Sequence, residues 1–135
     1  MPAIDVVDST WICTRPATLA ALVADPANWR RWWPELDLAV DEWRGEKGMR
    51  WSVRPGRPGL RGSMEVWLEP ALDGVVAHCF LRLDRADGAP LGRRRARRVT
   101  DRYRRGVKQV FWGFGDELDP GRTARIGGIR AGGGR

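Results

Sequence analysis

The chain has little of what most catalytic and metal-binding chemistry needs. A single histidine, His78, stands among 135 residues, so any imidazole proton shuttle near neutral pH must use it. Its two cysteines, Cys13 and Cys79, have no metal-ligand spacing. In a reducing cytosol they read as small buried hydrophobes rather than a disulfide. No Gly-rich phosphate loop, HExxH, CxxC or nucleophile elbow is present. With one histidine and two distant cysteines, neither a metal nor a cofactor is expected. No apolar run reaches the roughly 18 residues of a membrane-spanning helix. Met1-Pro2-Ala3-Ile4-Asp5 lacks the basic and apolar regions of a secretory signal, and a cytoplasmic location is expected.

What is present is tryptophan. Eight indoles accompany only three phenylalanines and one tyrosine. Each buries a large area, and tryptophans also line apolar ligand pockets. A hydrophobic fraction of 42% is enough for a core, and the length suits one domain. Charge is unevenly spread. Residues 1–90 carry 11 Lys+Arg against 13 Asp+Glu, whereas residues 91–135 carry 13 against 4. A basic segment, rather than a basic protein, faces any nucleic acid or anionic surface.

Residues 3–13 read as a strand rich in Val, Ile, Thr and Trp. Thr14 is expected as the N-cap of a helix running to about Ala24, with Pro16 in its first turn. Asp25-Pro26 starts a second helix that carries Trp29, Trp32 and Trp33 on one face until Pro34 ends it. Strand candidates follow at 36–43, 48–54, 62–69 and 75–84. Val99, Tyr103, Val107, Val110, Phe111, Phe114 and Leu118 then recur at helical spacing and predict a long helix over about 92–118. Arginines at its start and Asp116-Glu117 at its end oppose the helix dipole, so docking of the apolar stripe must stabilise it. The Gly/Arg-rich stretch 119–135 is expected to be a disordered tail beyond a 1–118 domain.

Asp73-Gly74 is a two-residue hairpin signal. With these residues as the loop, Leu72 lies opposite Val75, Glu69 opposite His78, Trp67 opposite Phe80 and Glu65 opposite Arg82. The other face pairs Leu68 with Cys79, Val66 with Leu81 and Met64 with Leu83, and is wholly apolar.

Strand, two short helices, antiparallel strands and a long C-terminal helix form an α+β helix-grip layout, a curved antiparallel sheet wrapped around the last helix. The segment Ala24-Asp25-Pro26-Ala27-Asn28-Trp29-Arg30-Arg31-Trp32-Trp33-Pro34 resembles the helix-pair motif of START-like (SRPBCC) proteins. Gly62–Pro70 with Gly74–His78 is similar to a hairpin of their polyketide cyclase/dehydratase-like members of actinobacterial type. The resemblance covers residues 3–118. It implies binding or transport of a hydrophobic, polyketide-like or lipid-like molecule between the sheet and the last helix. Five strands are counted where that family usually has six or seven, which implies a smaller or more open cavity.

The expected ligand-binding residues are Trp33, Trp51, Met64, Val66, Leu68, Leu81, Tyr103, Val107 and Phe111, with Trp33 and Trp51 closing the ends. The same residues could instead fill a solid core. An enzyme acting on an enolisable polyketide is the alternative, with Glu65, His78, Arg82 and Tyr103 as its polar candidates. On the hairpin, these groups could equally form a solvent-facing surface of ion pairs worth little. The arginines at 93–105 allow a third reading, contact with RNA or a ribosome; against it stands an ordinary solvated helix face.

Overall fold

The computed structural model describes residues 2–55 and 59–118. Strand β1 (Ile4–Ile12) is followed by helices α1 (Pro16–Ala24) and α2 (Pro26–Trp32). Strands β2 (Asp37–Trp43), β3 (Gly48–Arg54), β4 (Leu60–Ala71) and β5 (Gly74–Arg85) come next, and helix α3 (Arg93–Leu118) closes the order. The strands form one antiparallel five-stranded sheet in the order β1-β5-β4-β3-β2. The architecture is α+β and of helix-grip type, as expected. The interval 119–135 lies outside the described residues, so the expectation of a tail there stands as such.

Local chemistry accounts for the two short helices. Asp25 caps α2, its carboxylate accepting from the Ala27 amide at 2.9 Å. Pro26 follows at the first position, where no N–H is needed. The start of α1 differs from expectation. Thr14 donates its amide back to the Ile12 carbonyl at 3.0 Å, which ties it to the end of β1. The N-cap is therefore Arg15, with no side-chain cap, and its carbonyl accepts from Thr18 and Leu19.

The β4–β5 hairpin corrects the expected register. Ala71 pairs with Gly74, so the loop is Leu72-Asp73 rather than Asp73-Gly74. Leu72 takes a φ of 57° and is 99% exposed. The reason lies across the sheet. A Cβ on Gly74 would come within 2.4 Å of the Ile12 carbonyl and 2.8 Å of the Trp11 ring. Gly74 is thus needed where β1 closes on β5, and it cannot also serve the turn. Every cross-strand pair shifts by two: Met64 lies opposite Leu81, Glu65 opposite Phe80, Val66 opposite Cys79 and Trp67 opposite His78. An even shift keeps each residue on its face, so the apolar face is unchanged.

That face builds the core. Met64, Val66, Leu68, Leu81 and Leu83 are buried in one cluster with Val99, Tyr103, Val107 and Phe111 of α3. Ile4, Val6 and Ile12 of β1 join them. No described helix is long and apolar enough to cross a membrane.

Candidate functional site

Four of the eight tryptophans meet at the seam between α2, β3 and α3. Trp51 on β3 is 0% exposed. Trp29 meets it edge-on at a ring separation of 5.1 Å, and Trp33 does so at 6.2 Å. Trp32 continues the chain, meeting Trp33 at 5.6 Å and Phe114 of α3 at 4.8 Å. Such edge-to-face pairs add about 0.5–1.5 kcal/mol beyond area burial. Trp29, Trp32 and Trp33 thus form a connected patch, though not by the shared helix face expected: Trp33 is the C-cap beyond α2, and Trp29 joins the other two through Trp51. Trp33 and Trp51 do not close opposite ends of the core; they pack on each other.

The polar ends of these indoles differ. Trp29 donates its Nε1–H to the Val23 carbonyl, and Trp11, on the other side of the sheet, donates to the Ala71 carbonyl at 3.0 Å. The Nε1 atoms of Trp33 and Trp51 are buried and have no hydrogen-bond partner among the described residues. A buried donor without an acceptor costs about 1–3 kcal/mol, and these two belong to rings whose centres are 6.2 Å apart.

Beside Trp33 is a cleft of about 120 Å³ formed with Trp32, Pro34, Glu35, Arg102, Tyr103 and Gly106. The Tyr103 hydroxyl donates to Glu35 Oε2 at 3.4 Å, and Arg102 binds the same oxygen at 3.0 Å. Burial, reinforced by the Glu35 charge, raises the Tyr103 pKa. The phenol therefore stays a proton-bearing donor throughout the neutral range.

The other expected ligand residues, Met64, Val66, Leu68, Leu81, Val107 and Phe111, are each no more than 1% exposed and pack into the same core. Glu65, His78 and Arg82 lie on the opposite sheet face and do not meet Tyr103. Glu65 pairs with Arg44 rather than with Arg82. Arg82 instead reaches Asp5 of β1 at 3.6 Å and sits over the Phe80 ring at 5.7 Å. The two-residue register shift separates the expected Glu65–Arg82 pair. His78 lies between Ser9 Oγ, 2.7 Å from Nδ1, and Glu69 Oε1, 3.1 Å from Nε2. A carboxylate can only accept, so a neutral imidazole here donates from Nε2 to Glu69 and accepts the Ser9 hydroxyl at Nδ1. Trp67 lies against its ring at 5.3 Å. That array faces outward, on the side of the sheet away from α3.

One polar cluster inside the grip was not anticipated. Asp8 lies on the inward row of β1 with Ile4, Val6 and Ile12, its side chain only 9% exposed. Lys108 of α3 reaches Asp8 Oδ1 at 2.7 Å and Thr10 Oγ1 at 3.3 Å. Thr10 in turn donates to Asp8 Oδ2 at 3.2 Å. The signal was present in the sequence: an acid on an otherwise apolar inward row demands a cation from the element packed above it.

The chain matches no family profile and no curated relative. Solved structures resemble it at the level of fold. DR_A0006 from Deinococcus radiodurans aligns with a TM-score of 0.62 at 16% identity, over 87% of this chain and 98% of that one. The Aha1 dimer from Colwellia psychrerythraea gives 0.57 at 10% identity, over 86% and 96%. TTHA0849 from Thermus thermophilus gives 0.51 at 13% identity, over 84% and 96%. At these identities the likeness establishes the helix-grip fold and nothing finer.

Proposed function

We propose that this chain binds a small hydrophobic molecule carrying a carbonyl or hydroxyl oxygen, at the seam between Trp33 and Trp51. The two unpartnered buried indole N–H groups carry the reading. An oxygen acceptor within reach of either Nε1 would satisfy a donor that the described residues leave unsatisfied. The Tyr103 hydroxyl beside Trp33 gives its one proton to Glu35 and would accept a hydrogen bond from a ligand hydroxyl. The resemblance of the helix-pair and hairpin segments to polyketide cyclase/dehydratase-like proteins supports an aromatic, polyketide-like occupant over a plain alkyl chain.

The cleft of about 120 Å³ is smaller than the roughly 300–1,000 Å³ of ordinary ligand pockets. A polycyclic ligand would need this cleft to widen beside Trp33, so binding would follow a conformational opening. Transport is the simplest role, because binding alone requires no catalytic group. The enzymatic alternative, cyclisation or dehydration, would rest on Tyr103 turning its one proton from Glu35 to a developing enolate oxygen. It uses the one polar candidate that lies on the inward side of the sheet.

The test is a matched pair of probes, anthraquinone and anthracene, titrated against intrinsic tryptophan fluorescence. They share a ring system and differ in two carbonyl acceptors. At about 0.5–1.5 kcal/mol per hydrogen bond, anthraquinone should bind roughly tenfold more tightly. Equal affinities, or no response to either, would refute the proposal. Absence of turnover of an enolisable polyketide by the unaltered protein would remove the enzymatic alternative, and full turnover by Tyr103→Phe would remove the role of Tyr103 in it.

A further inference from the structure

The exposed side of α3 carries an arginine comb that the ligand site does not use. Arg93, Arg94, Arg97, Arg98 and Arg105, with Asp101, line a groove of about 620 Å³. All five arginines are exposed. Among the described residues none of the five has a carboxylate partner; Asp101 is 3.7 Å from Arg104, and Glu35 is taken by Arg102.

This arrangement is unfavourable for the free protein. The first turn of α3 contains no acid, so its arginines face the positive end of the helix dipole. Arg93 and Arg97, and Arg94 and Arg98, are like charges four residues apart, each pair destabilising by a few tenths of a kcal/mol. A polyanion laid along the groove would relieve both.

We infer that the α3 comb binds the phosphodiester backbone of nucleic acid. Residues 93–105 span about 18 Å of helix. Four of the arginines fall within about 7.5 Å, Arg93 to Arg98, and Arg105 lies about 10 Å further on; with both strands counted a duplex carries a phosphate charge about every 1.7 Å of axis, enough to meet each arginine. The guanidinium fork suits phosphate oxygens better than a point charge does. A membrane fits less well. The apolar stripe of α3 (Val99, Tyr103, Val107, Phe111, Phe114) is buried in the core, which leaves no apolar side to insert among lipids.

Fluorescence anisotropy of the full chain with a labelled 20-base-pair duplex, as RNA and as DNA, tests this across 50–300 mM salt. Five phosphate contacts predict a log–log salt slope of about −4.5, and the same behaviour for both duplexes because only the backbone is read. The triple variant Arg94→Gln, Arg97→Gln, Arg98→Gln retains good helix formers, which circular dichroism checks. Its slope should shrink by about 3, with at least a tenfold weaker affinity at 100 mM salt. Lack of binding at 50 mM salt would overturn the inference. So would an unchanged slope in a folded triple variant, which would place the contacts elsewhere, such as the arginines beyond residue 120. Binding to phosphatidylserine vesicles but to neither duplex would overturn it in favour of a membrane.

Discussion

Replacing Lys108 should be far more damaging than replacing the carboxylate it binds. Asp8 is nearly enclosed, its side chain 9% exposed, whereas Lys108 is 34% exposed. Lys108→Met leaves an enclosed carboxylate with only the Thr10 hydroxyl for company. Stranding one member of a fully buried pair costs about 3–5 kcal/mol; with the cation end partly in water, about 2 kcal/mol is expected. Asp8→Leu leaves an ammonium on a flexible stem that can swing into solvent, and should cost under about 1 kcal/mol. The double variant replaces the pair with apolar packing and should be close to neutral, giving a coupling energy of about 2–3 kcal/mol. Urea unfolding followed by tryptophan emission measures all four proteins. At the usual slope for a domain of this size, the Lys108→Met midpoint falls by about 1 M. Asp8→Leu costing more than Lys108→Met, or additive effects in the double variant, would refute the reasoning.

Three further outcomes follow from the structure. Gly74→Asn would be tolerated if Gly74 lay in the hairpin loop; with a Cβ directed at the Ile12 carbonyl and the Trp11 ring it should lower stability by more than about 2 kcal/mol, measured by thermal unfolding. Leu72→Asn should do the reverse, raising stability by about 0.5–1 kcal/mol, because asparagine tolerates the positive φ and leucine does not; no gain in melting temperature would count against the loop assignment. Burial pushes the Cys79 thiol pKa up, so the folded state holds a proton that the unfolded chain releases above the ordinary thiol value of 9.0. The raised folded value makes this contribution whole below pH 9 and lost as pH rises, with a slope approaching 1.36 kcal/mol per unit for this group. Cys79→Ala should flatten that alkaline slope, and a thiol reagent should label Cys13 but not Cys79 in the native protein.

Much of the fold was legible because it rests on local periodicity. Apolar residues at period two marked the strands, and the Val99–Leu118 stripe marked α3 to within a residue of its start. Asp25-Pro26 marked the start of α2 because capping and a first-turn proline act within one turn. The hairpin loop was misplaced because the deciding contact, β1 closing on Gly74, joins residues about 60 apart in sequence. The face assignment survived because a shift of two preserves alternation. The site was less legible for the same reason. Helical spacing put Trp29, Trp32 and Trp33 on one face, yet Trp33 is the C-cap beyond α2, and only tertiary packing brings it onto Trp51 and leaves both N–H groups without acceptors among the described residues. Asp8 was readable as an acid on an apolar row, but the partner depended on the rotation of α3.

The indole N–H resonances of Trp33 and Trp51 test the central claim most directly. In ¹H–¹⁵N spectra, with Trp33→Phe and Trp51→Phe for assignment, saturating anthraquinone should move these two signals downfield as they gain an acceptor. Those of Trp11 and Trp29, already bonded to the Ala71 and Val23 carbonyls, should stay in place. Unmoved Trp33 and Trp51 signals under saturating probe, or four signals moving alike, would contradict the account and assign those two donors to a bridging water or to a filled core.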